Sequence, residues 1–79
     1  MRIRVTLSGP LREYYKSNRS AKNEFIEMPQ GANVSDLLAG YGIPPQKVHL
    51  VIVNRRKAAV HDLLNDGDHL WLIPLAAGG

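Results

Sequence analysis

The sequence predicts an α+β domain in which a mixed sheet of ββαββ order packs on one main helix. Three observations predict it. Apolar and polar residues alternate from Arg2 to Leu7, a capped amphipathic segment spans 34–41, and two further strand-like runs follow at 48–53 and 69–73. A helical period of 3.6 set between β-type runs is the signature of strands and one helix sharing a small layered core.

Taken in order, Ile3, Val5 and Leu7 fall on one side of the first run and Arg2, Arg4 and Thr6 on the other, which is a half-buried strand. Ser8-Gly9-Pro10 breaks it. Residues 11–23 are polar. Leu11-Arg12-Glu13-Tyr14-Tyr15 offers a turn of helix before a Ser/Asn-rich loop whose tip, 17–22, is expected to be mobile. Residues 24–28 form a second strand, ended by Pro29 and Gly31 and paired with the first as an antiparallel hairpin. Ile26 and Met28 are expected to face inward, with Phe25 and Glu27 outward.

The helix has both ends written locally. Asn33 stands where an N-cap belongs, and Asp36 follows three residues later at the positive end of the helix dipole. Val34, Leu37, Leu38 and Tyr41 make one apolar stripe. Gly42 suits the left-handed position after the last turn, Ile43 supplies its apolar contact, and Pro44-Pro45 forbids continuation. Next, residues 48–53 are apolar except His49 and rich in β-branched side chains, as a central strand requires. Asn54 opens a tight turn because it tolerates positive φ, and residues 57–60 return as a short strand. Residues 61–65 connect, Asp66-Gly67-Asp68 turns, and residues 69–73 form the last strand. Leu70 and Leu72 lie on one of its faces, Trp71 and Ile73 on the other. The order is strand, strand, helix, strand, short strand, last strand, and in a fold of that order the first and last strands lie parallel at the centre, joined by a long crossover. That is the arrangement of a ubiquitin-like β-grasp, here spanning residues 1–74, with 75–79 as a flexible C-terminal diglycine tail.

Composition narrows the chemistry. With 79 residues there is one small domain, and 44% hydrophobic residues suffice for a single thin core. The absence of cysteine excludes disulfides, thiolate metal sites and a cysteine nucleophile. His49, His61 and His69 match no zinc-ligand spacing, so no metal is expected; His61 and His69 are expected at the surface or on a strand edge, with no catalytic role. No apolar run approaches the ~20 residues needed to cross a bilayer, and Met1-Arg2-Ile3-Arg4 has no secretory core. The expected location is the cytoplasm, with no membrane partner. The formal charge is +3, concentrated at Arg55-Arg56-Lys57. That cluster reads either as a solvated turn or as a contact for phosphate or an acidic partner. The aromatic residues are not interleaved with basic ones, so nucleic acid is not an expected partner. No nucleophile–base or acid–base constellation is visible, so the chain is not expected to be an enzyme by itself.

Chemistry therefore falls to the ending Pro74-Leu75-Ala76-Ala77-Gly78-Gly79, where the one reactive group is the Gly79 carboxylate. Its pKa near ~3.5 leaves it ionised and a poor electrophile until it is activated. Glycine at 78 and 79 lets a tail thread a narrow channel. Residues 75–79 reach at most ~16–18 Å when extended. The competing reading is a frayed terminus without function.

The β-grasp order is joined by several local runs. They are Leu11-Arg12-Glu13 after the first strand, residues 31–38 leading into the helix, Val51-Ile52-Val53-Asn54 before the turn, Asp66-Gly67-Asp68, and the Pro74…Gly78-Gly79 ending. Together they resemble the MoaD/ThiS family of small sulfur carriers over essentially the whole chain, and most closely the small subunit of molybdopterin synthase. Two departures are Arg55, where the family often has Gly, and the polar loop at 16–22. The resemblance implies that a ubiquitin-activating-type enzyme uses ATP to adenylate Gly79. Sulfur then replaces AMP, and the thiocarboxylate passes to the large subunit of molybdopterin synthase or another sulfur acceptor. It implies no bound cofactor and a monomer when free. Thiamine or other sulfur-carrier pathways, and a ubiquitin-like modifier conjugated through Gly79, stand as alternatives. For docking, Trp71, Ile73 and Leu75 lie at i, i+2 and i+4, opposite Leu70 and Leu72, with Arg55 and Arg56 placed to rim them. The competing arrangement has them covering a second small core with Phe25 or residues 11–15.

Overall fold

A computed structural model describes residues 1–75; the expected tail residues Gly78 and Gly79, with the two alanines before them, lie outside the described residues. β1 (Arg2–Leu7) leads through a 3-10 turn, Gly9–Tyr14, to β2 (Glu24–Glu27). Then come α1 (Val34–Tyr41), a second 3-10 turn (Pro45–Lys47), β3 (Val48–Val53), β4 (Arg56–Ala58) and β5 (His69–Pro74). The sheet order is β2-β1-β5-β3-β4. β1 and β5 run parallel, while the other neighbours are antiparallel. Among the described residues no helix is long and apolar enough to cross a membrane.

Register decides which side chains share a face. Ile3 stands opposite Ile26, Val5 opposite Leu70, and Leu7 opposite Leu72. Val53 and Val51 continue the last two rows onto β3. These rows lie under the α1 stripe of Val34, Leu37, Leu38 and Tyr41, all within one buried cluster. Ile3, Val5, Leu70 and Leu72 are wholly shielded from solvent. Burying an aliphatic side chain of this size stabilises by about 1.5–3 kcal/mol, so the β1–β5 seam is the main anchor of the fold.

The helix ends form as the residues dictate. Asn33 Oδ1 accepts from Asp36 N–H at 2.8 Å and Asp36 Oδ2 accepts from Asn33 N–H at 3.0 Å, a reciprocal capping box. At the other end Gly42 takes φ 73°, Gly42 N–H reaches Ala39 O at 3.1 Å, and Ile43 N–H reaches Leu38 O at 3.0 Å. That pair of bonds is a Schellman closure. The β3–β4 turn has Asn54 at φ 51° and Arg55 at φ 69°, the two positive values that match a tight hairpin to strand twist. Asn54 is held on both sides, donating to Asp68 Oδ1 at 2.8 Å and accepting from His69 N–H at 2.9 Å.

Three features differ from expectation. β4 begins at Arg56 and ends at Ala58, because Ala59 N–H turns to Asp62 Oδ2 and Val60 O accepts from Ser35 N–H. His69, expected at the surface or on a strand edge, heads the central strand β5 and is half-buried. Tyr15, within a run read as polar, is buried in the core cluster. Its hydroxyl accepts from Leu7 N–H at 2.8 Å and donates to Lys22 O at 3.0 Å. The far end of the 16–23 loop is tied by Glu24, whose carboxylate accepts from Lys16 N–H, Ser17 N–H, Ser17 Oγ and the Tyr41 hydroxyl.

Candidate functional site

The root of the tail is gripped by the two 3-10 turns. Ser8 N–H donates to Leu72 O at 3.2 Å, and Leu75 N–H donates to Lys47 O at 3.0 Å. Gly9 has φ 54°, and a Cβ there would meet Pro74 Cγ at 3.2 Å, so the chain passes close beside the proline. Leu75, 58% exposed, lines a cleft together with Pro10, Leu11, Tyr14 and Pro74 and the charged residues Glu13 and Lys47.

The sheet face turned away from α1 carries a second feature. The registers align Thr6, Trp71, Ile52 and Lys57 in one cross-strand row, with Ile73 and Leu50 in the next. Trp71 is 41% exposed and its indole Nε1–H donates to Ser8 Oγ, which holds the ring in place. Ile52 and Ile73 flank it in a shallow hollow completed by Arg4, Arg55 and His69. An aromatic ring fixed among aliphatic side chains and rimmed by cations is the composition of a protein-docking surface.

The electrostatics of that hollow centre on His69. Its Nε2 lies 2.7 Å from Thr6 Oγ1. Burial first, and then the guanidiniums of Arg4 and Arg55, hold the imidazole below the ordinary histidine value of 6.5, so it is neutral at pH 7. Among the described residues no cluster of His, Asp or Glu could hold a metal ion. The face offers shape, apolar contact and positive charge.

The structure brings Trp71, Ile73 and Arg55 together on this face. Leu75 belongs to the separate cleft at the tail root, because the chain is bound to Lys47 once it passes Pro74. Arg56 pairs with Val53, whose side chain packs against the core, so strand alternation sends Arg56 to the opposite side from Lys57. Phe25 does not build a second core with Trp71; it is 54% exposed under the Arg2 guanidinium, 4.3 Å from the ring centroid. Leu50, Ile52 and Arg4 join the face without having been singled out from the sequence. Period two within the 48–53 run pairs Leu50 with Ile52, and that was the available signal.

Comparison with known proteins follows this geometry. The model of the ThiS family matches residues 5–79. No curated protein sequence matches the chain. Among solved structures, the chain is similar to SAMP1 from Haloferax volcanii, at 19% identity and a TM-score of 0.71, covering 100% of both chains. It is similar to Urm1 from Trypanosoma brucei, at 19% identity and a TM-score of 0.71, covering 99% of this chain and 95% of that one. It is also similar to a chain in the complex of subunits 1 and 2 of molybdopterin-converting factor from Helicobacter pylori, at 22% identity and a TM-score of 0.62, with 100% of both chains covered. At these identities the three structures establish a shared ubiquitin-like β-grasp fold.

Proposed function

The chain belongs to the ThiS family of small ubiquitin-like sulfur carriers, and from that premise we propose that its working group is the Gly79 carboxylate, which is converted to a thiocarboxylate for cofactor biosynthesis, molybdopterin foremost. A carboxylate oxygen attacks the α-phosphorus of ATP in the active site of a ubiquitin-activating-type enzyme, and pyrophosphate leaves. Sulfur at the sulfide level then adds to the acyl carbon, and AMP departs with the bonding pair. The carrier supplies no acid or base to either step; it supplies docking, reach and a tail narrow enough to enter the partner. It holds no cofactor, and ATP is the partner's substrate.

The observation that carries this reading is the grip on Pro74 and Leu75 beside an apolar, cation-rimmed face, followed by a sequence that ends in diglycine. The root is held as far as Leu75, the residue from which the proposed tail continues. The molybdopterin branch is supported by the proline-containing ending and by the likeness to a chain of the two-subunit Helicobacter pylori complex, with a large subunit as the acceptor.

The test is incubation with ATP, the activating enzyme and a sulfur donor, read by intact mass. The expected gain equals the replacement of one oxygen by one sulfur, and deletion of Gly79 abolishes it while the melting transition is kept. An unchanged mass with a competent enzyme refutes the proposal. Transfer from the loaded carrier to a molybdopterin precursor, against a thiazole precursor, separates the two branches.

A further inference from the structure

We propose that Arg4, Arg55 and His69 form a carboxylate-receptive subsite at one end of the outer sheet face, taking an Asp or Glu side chain of the docked partner while a neighbouring apolar residue of that partner lies against Trp71 and Ile52. The inference rests on the outer face being the docking face, as read above.

Charge complementarity points to the occupant. Arg4 projects from β1 and Arg55 from the β3–β4 turn into the same hollow as His69. Among the described residues, the basic and acidic groups at salt-bridge distance are Met1 with Glu27 and His61 with Asp62, so neither guanidinium is paired with a carboxylate there. The two carboxylates just before β5 already accept hydrogen bonds. Asp68 is buried and bonded to Asn54 and Asn65 N–H. Asp66 accepts from Arg2 N–H at 2.7 Å, across the adjoining hollow that Arg2, Arg4, Phe25 and His69 share. The remaining groups around the imidazole are neutral: Thr6 from β1, Ile52 from β3, and Trp71 and Ile73 from its own strand. Two guanidiniums beside an indole wall make a forked donor array whose attraction for a carboxylate is strengthened by the displaced water. The apolar wall selects a protein side chain over a free anion, because the hollow continues into the Trp71–Ile73–Leu50 surface.

The backbone at Arg55 adds a second observation. At φ 69° it holds a conformation that glycine adopts more readily, yet the residue there is one that reaches the hollow with a guanidinium. A carboxylate placed between the two arginines also offsets the repulsion that, after burial, disfavours the protonated His69. The imidazole then gains a proton on binding, and docking tightens as pH falls towards 6.

The test is NMR on the full-length labelled chain. Acetyl-Leu-Glu-Leu-amide and its Gln counterpart are each titrated to about 20 mM, the range in which weak contacts saturate. The Glu peptide is expected to shift the Trp71 indole and His69 imidazole signals, to raise the pH at which His69 titrates, and to bind about fivefold or more tighter than the Gln peptide. The double variant Arg4→Gln/Arg55→Gln removes that difference while core amide signals stay in place. Equal responses to the two peptides, no response to either, or an equal response to inorganic phosphate would each overturn the proposal. Neither Gly79 nor the activating enzyme enters this assay, so its failure is distinct from a failure of thiocarboxylation.

Discussion

Replacing Tyr15 with Phe removes one oxygen from the interior and keeps the ring. Tyr15 is 7% exposed and Leu7 2%, so the Leu7 N–H that donates to the hydroxyl at 2.8 Å has no water to turn to. The other partner, Lys22 O, belongs to an exposed residue and regains solvent. The cost is therefore dominated by one stranded buried donor, about 1–3 kcal/mol. For a domain this small, each 1 kcal/mol lowers the melting midpoint by about 4–8 °C, so Tyr15→Phe is expected to be conspicuous. Urea unfolding followed by Trp71 fluorescence should show a lower midpoint with an unchanged slope. Faster exchange of the Leu7 amide would locate the damage. A midpoint change equivalent to less than about 0.5 kcal/mol, the usual scatter of surface substitutions, would refute the claim that this hydroxyl is what satisfies the end of β1.

The Glu24 carboxylate is desolvated, but its bonds from Tyr41, Lys16 and Ser17 outweigh that and hold it below its ordinary value of 4.5. It therefore contributes stability above that pH and loses it as pH falls through the folded value; Glu24→Gln is expected to flatten the acid limb of a pH series of thermal melts. Asn33→Ala removes half of the capping box and is expected to cost about 1 kcal/mol in denaturant unfolding. Trp71→Ala, at a partly exposed site, is expected to raise the activating enzyme's KM for the carrier about 30-fold, the factor for a docking anchor worth about 2 kcal/mol, with kcat and the melting midpoint little changed. Arg55→Gly relieves a positive φ at the cost of unfolded-state entropy, so stability is expected to hold or rise by up to about 1 kcal/mol, while preference for the Glu peptide falls.

What could be read from the chain alone was whatever is encoded within a few residues or by strand alternation. α1 was legible to both ends because Asn33, Asp36 and Gly42 act on backbone groups within one turn of themselves. β1 and β5 were legible from alternation, and their parallel pairing followed from the β-grasp order, for which the long connection between them leaves room. The rest depends on register, which no short window contains. Arg4 belongs to the outer face because β1 sets it opposite His69, sixty-five positions later. Arg55 and Arg56 look like one cluster in sequence. The turn ends between them and the strand then alternates, so one guanidinium reaches the Trp71 hollow while the other goes to the opposite side. Spacing from Trp71 to Leu75 implied a continuous strip, yet the bond from Leu75 N–H to Lys47 O leads the chain into a different cleft. Tyr15 lay hidden in a polar run, although Leu11 and Tyr15 stand four apart and both end in the core. Local chemistry thus builds the grip, and long-range pairing decides which side chains share the outer sheet face.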